Sequence, residues 1–122
     1  MEYDRADKEV AEMSKIKVNE QRAVDEFQEL TAIDAPSFGE RQMADRLIVK
    51  LKELGFEVEE DNAGKHFGGN AGNLYAYLPG DLPGDSVLLS GHMDTVEPSK
   101  GKKGIIGEDG VIRSAGKAVL FD

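Results

Sequence analysis

An α/β layer structure, with two N-terminal helices packed on a sheet, is what this 122-residue sequence predicts. Three observations carry that expectation. Apolar residues recur at helical spacing twice before residue 55. Two segments then follow whose composition is that of strands. Further on, Val87-Leu88-Leu89 forms a continuous apolar run, as expected of a strand buried on both faces. Helices followed by strands with a buried centre are the pattern of layered α/β domains.

The elements follow in chain order. Residues 1–18 alternate acidic and basic side chains around little apolar content, and read as a polar extension, frayed or loosely helical. Over 20–33, Ala23, Phe27, Leu30 and Ile33 line one helical face. Asp34-Ala35-Pro36 stops that helix, because the residue before a proline is pushed out of the α region. Ser37-Phe38-Gly39-Glu40 reads as a capping box, with Ser37 accepting from the third helical N–H and Glu40 reaching back. Met43, Leu47, Leu51 and Leu54, with Ala44 and Ile48, then give the second helix one broad apolar face. Gly55 stands where a left-handed C-terminal cap belongs.

Phe56-Glu57-Val58-Glu59 alternates apolar and acidic residues, a strand with one wet face. Asp61 to Gly64 reads as a turn, Asn73 to Leu78 as a second strand, and Pro79 to Asp85 as a loop dense in proline and glycine. Tyr75 and Tyr77 share one face of their strand. Asp109-Gly110, between Ile105-Ile106 and Val111-Ile112, is a hairpin signal.

Composition narrows the function. Lys and Arg number 15 against 24 Asp and Glu, a formal net charge of −9. The densest basic cluster is Lys100, Lys102 and Lys103, too small for a phosphate-binding face, so nucleic acid is not an expected partner. No apolar run approaches the length of a membrane span, so no membrane partner is expected. Cysteine is absent, which excludes disulfides, thiol nucleophiles and thiolate metal sites. With no apolar signal core near the N-terminus, a cytoplasmic location is the expectation. Any metal must be held by His, Asp or Glu, and the two histidines are His66 and His92.

The chemistry is concentrated in Ser90-Gly91-His92-Met93-Asp94-Thr95-Val96-Glu97-Pro98, directly after the apolar run. Ligands in open α/β sheets collect beyond the carboxyl ends of strands, which is where His92 falls. Asp94, two residues on, shares its side of an extended chain. A carboxylate beside an imidazole fixes the tautomer and raises the basicity of the ring, which suits a metal ligand or a catalytic base. Taken on spacing alone, the same His-x-Asp is also compatible with loop solvation or a turn bond. His66, in a glycine-rich segment, reads as an exposed loop histidine. Residues 110–117 are not a phosphate loop, having the wrong glycine spacing and Ala118 where a Ser or Thr must stand.

The segment Ser90 to Pro98 resembles the first zinc-ligand motif of the co-catalytic zinc exopeptidases, the group with peptidase T (tripeptidase), acetylornithine deacetylase and the carboxypeptidase G type. Ala35 to Glu40, Leu54 to Val58 with Asp61 to Gly64, Gly72 to Gly80, and Ile112 to Gly116 resemble that family's segments in the same order, closest to its peptidase T-like branch. The resemblance covers about residues 19–120.

It implies a partial three-layer zinc-exopeptidase catalytic domain, with two N-terminal helices packed on a mixed sheet, over residues 19–122. It also implies hydrolysis of short peptides with two zinc ions. By the same resemblance, His92 is a metal ligand and Asp94 the active-site residue that orients it.

The family's bridging aspartate is not carried over to Asp122, which arrives one position early behind Phe121. The glutamate pair, the remaining ligands and the lid domain lie beyond residue 122 in the family pattern. The expectation is therefore a truncated chain, inactive by itself, since catalytic zinc takes about three protein ligands. Strands that are interior in the full sheet become edges here, so a homodimer through exposed sheet edges is expected. The alternative reading is a non-catalytic α/β scaffold or assembly module derived from that fold.

Overall fold

The computed structural model describes residues 17–121. The expected N-terminal extension lies almost entirely outside them, as does Asp122. The fold is the expected α/β class, built of α1 (Glu20–Thr31), α2 (Arg41–Glu53), β1 (Glu57–Glu60), α3 (Ala63–His66), β2 (Leu74–Tyr77), β3 (Gly104–Ile106) and β4 (Ile112–Ser114).

Helix α1 starts where Asn19 caps it, its side-chain oxygen accepting from the Arg22 N–H at 3.0 Å. It ends two residues earlier than the apolar spacing predicts. The N–H of Ala32 still reaches the Gln28 carbonyl, but that of Ile33 falls back to Leu30, a tightening that closes the helix before Pro36. Helix α2 ends in a Schellman motif at Gly55, whose φ is 90°. Gly55 N–H donates to the Lys52 carbonyl at 3.0 Å and Phe56 N–H to the Leu51 carbonyl at 3.0 Å.

Glu29 lies at the centre of the ionic contact between the two helices, bonded to Arg46 and, at 2.9 Å, to Lys50, which also meets Glu26 at 3.0 Å. Met43 and Ala44 of α2 are buried, as is Leu120, while Phe121 meets Phe27 edge-on at 5.3 Å. Leu54, expected on the apolar face, is 54% exposed because it sits at the C-cap, past the last helical turn.

Strands β1 and β2 pair antiparallel with Val58 opposite Ala76, and α2 packs against both. The expected alternation in β1 holds, and Tyr75 and Tyr77 lie on a wet face of β2. Between the strands, the Asp61 carboxylate accepts from the N–H groups of Ala63 and Asn73 at 2.9 and 2.8 Å, and from the Asn73 amide. The expected turn at Asp61 to Gly64 runs on into the one-turn helix α3. Two glycines permit the close approach of chain this requires. A Cβ on Gly72 would stand 2.0 Å from the Asp61 carbonyl oxygen, and one on Gly64 1.8 Å from that of Ala71. The second hairpin, β3–β4, forms around Gly110 as expected, with Asp109 gripping Arg113 through two bonds of 2.9 and 2.7 Å.

Two expectations are corrected. The paired strands form two separate antiparallel hairpins, and parallel pairing is confined to a bridge between Pro36 and Thr95. Val87-Leu88-Leu89 is not a buried strand: its residues are 86–90% exposed. The physical reason is pairing. No other strand among the described residues lies beside this run, so its apolar character has nothing to act on and both of its faces stay bare.

Replacing Gly72 by Ala should cost about 1–3 kcal/mol of stability, the range for forced overpacking, because the obstructing atoms are backbone. Gly80→Ala, where nothing lies within 4 Å, is the control, and urea midpoints measure both. The carboxyl of Glu29 is lowered to about 2, first by its bonds to Arg46 and Lys50. A depressed carboxyl stabilises the fold above its ordinary value near 4.5 and loses that contribution as pH falls through about 2. An acid titration of stability should therefore lose part of its slope in this window in Glu29→Gln.

Candidate active site

Residues 33–37, beyond the end of α1, and residues 94–102 run side by side, and Asp94 within this seam holds His92. The Thr95 N–H donates to the Ala35 carbonyl at 2.8 Å, and Pro36 bridges Thr95. The Gly101 N–H donates to Asp34 at 2.8 Å. Lys102 is 4% exposed and gives its ammonium to the Ile33 carbonyl at 2.8 Å and to the Thr95 hydroxyl at 3.2 Å. The sequence places Lys102 in its densest basic cluster, with Lys100 and Lys103. In the structure it is an internal tie, and its spacing from Lys100 and Lys103 gives no sign of that.

The two sequence-predicted site residues are together. His92 Nδ1 lies 2.8 Å from the Asp94 backbone oxygen and 3.2 Å from Asp94 Oδ1. Both neighbours are acceptors, so Nδ1 carries the hydrogen and donates. In the neutral ring the lone pair then sits on Nε2. The His92 side chain is 58% exposed and that of Asp94 37%. The Asp94 carboxyl is held below the usual carboxylate range, first by a hydrogen bond from Ser37 and further by His92, against the opposing effect of burial.

Ser37 was missed as a site residue. The capping-box reading is corrected, since its hydroxyl donates to Asp94 Oδ2 at 2.5 Å. The N-terminus of α2 is served instead by Asn70, whose side-chain oxygen accepts the Arg41 N–H at 2.9 Å. Glu40 does reach back, to the Phe38 N–H at 2.7 Å. No local pattern signals a partner 57 residues away.

Other polar groups belong to different structures. His66 is exposed on α3. An open cleft of about 480 Å³ is lined by Arg41, Glu60, Asp61, Lys65 and Asn70 among others, but not by His92 or Asp94. Its chief charges are spent on each other, Arg41 on Glu60 at 2.7 Å and Glu60 also on the Gly72 N–H at 2.8 Å.

For zinc, the donor set fits in part. A neutral imidazole with its other nitrogen bonded to a carboxylate is the usual form of a zinc-ligating histidine. Among the described residues, however, no group of three or more His, Cys, Asp or Glu side chains is placed to hold a metal ion. His92 and Asp94 thus fit one ligand and its support, not a closed site. Among the same residues, no helix is long and apolar enough to cross a membrane.

No family model matches the chain. Its sequence is 37% identical over 103 residues to the uncharacterised protein YqjE of Bacillus subtilis, covering 84% of this chain and 28% of that one. Its fold matches a crystal structure of a tripeptidase from Staphylococcus aureus with a TM-score of 0.81 at 37% identity. It also matches aminopeptidase PepT from Bacillus cereus with a TM-score of 0.80 at 39% identity. Each likeness covers 84% of this chain, which spans 28% of the matched structure.

The chain is thus an α/β polypeptide similar in fold and sequence to these two peptidase structures. More particularly, it matches the N-terminal part of a peptidase T-like protein.

Proposed function

We propose that this chain supplies the first metal ligand of a zinc-dependent exopeptidase acting on short peptides. His92 would bind one of two zinc ions through Nε2, and Asp94 would orient it. The observation that supports this most directly is the pair of contacts from His92 Nδ1 to Asp94, at 2.8 and 3.2 Å. They leave the ring in the tautomer a metal needs. When bound, zinc supplies Lewis acidity toward a peptide carbonyl and an activated water. This chain's own residues hold the imidazole in orientation and keep its proton on Nδ1. With a single histidine ligand at the site, the chain by itself is proposed to hydrolyse no peptide, since catalytic zinc takes about three protein ligands. A cytoplasmic setting is part of the same proposal.

The test is a chimera. This chain's matching segment replaces its counterpart in the Staphylococcus aureus tripeptidase, and tripeptide hydrolysis is followed with and without zinc. Zinc-dependent hydrolysis is expected, abolished in His92→Ala and reduced by about 10–100-fold in Asp94→Asn, the usual effect of losing a partner behind a ligand. A folded chimera in which His92→Ala keeps full activity would sink the proposal. Calorimetry on the metal-free chain should show no stoichiometric zinc site. If one appears and depends on His92, the idea that the chain is inactive by itself fails.

A second reading, a scaffold or assembly module derived from the same fold, is favoured by one observation. Val87, Leu88 and Leu89 are bare on both faces of an extended run, and bare apolar strands invite pairing with another copy. Light scattering should then give the mass of a dimer, reverting to monomer in Leu88→Lys. A monomer at all concentrations would count against it.

A further inference from the structure

We propose that Ser37 is a positioning residue of this site. Its hydroxyl would fix the Asp94 carboxylate so that His92 keeps its hydrogen on Nδ1 and its lone pair on Nε2. The inference rests on the reading of His92 as a ligand, but its first test does not require a metal.

The geometry divides the labour within Asp94. Oδ1 faces His92 Nδ1 at 3.2 Å, and Oδ2 takes the Ser37 hydroxyl at 2.5 Å. A carboxylate turns easily about its terminal bond, which has broad, roughly two-fold wells. With its side chain 37% exposed, Asp94 has water competing for both oxygens. The bond from Ser37 holds the plane of the carboxylate, and with it the oxygen offered to the imidazole.

Ser37 is itself placed with unusual insistence. The turn from Pro36 to Gly39 is closed by the Gly39 N–H on the Pro36 carbonyl at 2.8 Å. Phe38 in that turn has a φ of 69°, a left-handed conformation that bulky residues rarely adopt. Burial of its ring does not account for this, as Phe38 is 62% exposed. The conformation is held from both sides. Glu40 accepts the Phe38 N–H at 2.7 Å, and the Asn70 N–H donates to the Phe38 carbonyl at 3.2 Å. The bridge from Pro36 to Thr95 lays the turn beside Asp94. Backbone strain that persists because its surroundings over-determine it tends to mark functional sites. Here its visible result is the delivery of one hydroxyl to one carboxylate. A capping role does not compete for that hydroxyl, since Asn70 serves the start of α2.

The measurement is the pair of ring-nitrogen chemical shifts of His92 in the full chain, at a pH where both histidines are neutral, with His66 as internal reference. In Ser37→Ala the ratio of Nδ1–H to Nε2–H tautomer at His92 should fall about threefold or more, as the carboxylate support weakens. It should recover in Ser37→Thr, while His66 stays unchanged. Should the alanine variant not fold, Ser37→Cys keeps the size, weakens the donor and reads the same ratio. An unchanged ratio in a folded variant overturns the proposal, because the Asp94 backbone oxygen would then set the tautomer without Ser37. A second arm measures zinc affinity in the tripeptidase chimera, where Ser37→Ala should weaken binding by about tenfold. A shifted tautomer with unchanged zinc affinity leaves the positioning role standing and overturns the reading of His92 as a ligand.

Discussion

The seam between residues 33–37 and 94–102 is the constraint on which the placement of His92 depends. It joins segments some 60 residues apart in sequence through the Thr95 to Ala35 bond, the Pro36 bridge and the ammonium of Lys102. Burying a lysine is costly unless its hydrogens are received, and here a carbonyl and a hydroxyl receive them. Losing the tie would leave the Ile33 carbonyl, and with it the end of α1, without that partner. The seam is also what lets a histidine directly after a bare, unpaired run occupy a defined position. Its order is imposed from the far side, by residues 94–102, and not by the strand that precedes it.

Local chemistry made much of the fold legible in the sequence, and long-range chemistry hid the rest. The Gly55 cap could be read because a Schellman motif is written in consecutive residues, and the Asp109-Gly110 hairpin for the same reason. His92 and Asp94 could be read because extended chain puts residues two apart on one side. Ser37 could not. The same Ser-x-x-Glu pattern serves a helix cap or a strained turn, and the choice was made by Asn70, which took the N-terminus of α2 for itself. Lys102 was illegible because nothing in a run of lysines says which one turns inward.

The Val87–Leu89 run shows a different limit. Its composition states an environment, cover on both faces, that the described residues do not contain. The pattern is legible as chemistry and not as position. The matched tripeptidase and aminopeptidase structures are more than three times the length this chain spans in them. The described residues have few fully buried side chains and rely on polar ties, with Glu29, Glu60, Asp61 and Asp109 each bonded to groups in at least two other residues.

Those polar ties bear on what the site can be. Most of the strongly held acids are committed to arginine, lysine or backbone N–H groups, so they have little left to offer a cation. Asp94 differs, because its partners are a hydroxyl and an imidazole, both neutral donors in the tautomer the contacts select. Its negative charge is oriented but not cancelled. A histidine backed by an uncancelled carboxylate is a stronger electron donor than one facing solvent, and that is the property a metal ligand needs. With the ring 58% exposed, an ion pair here would add little to stability.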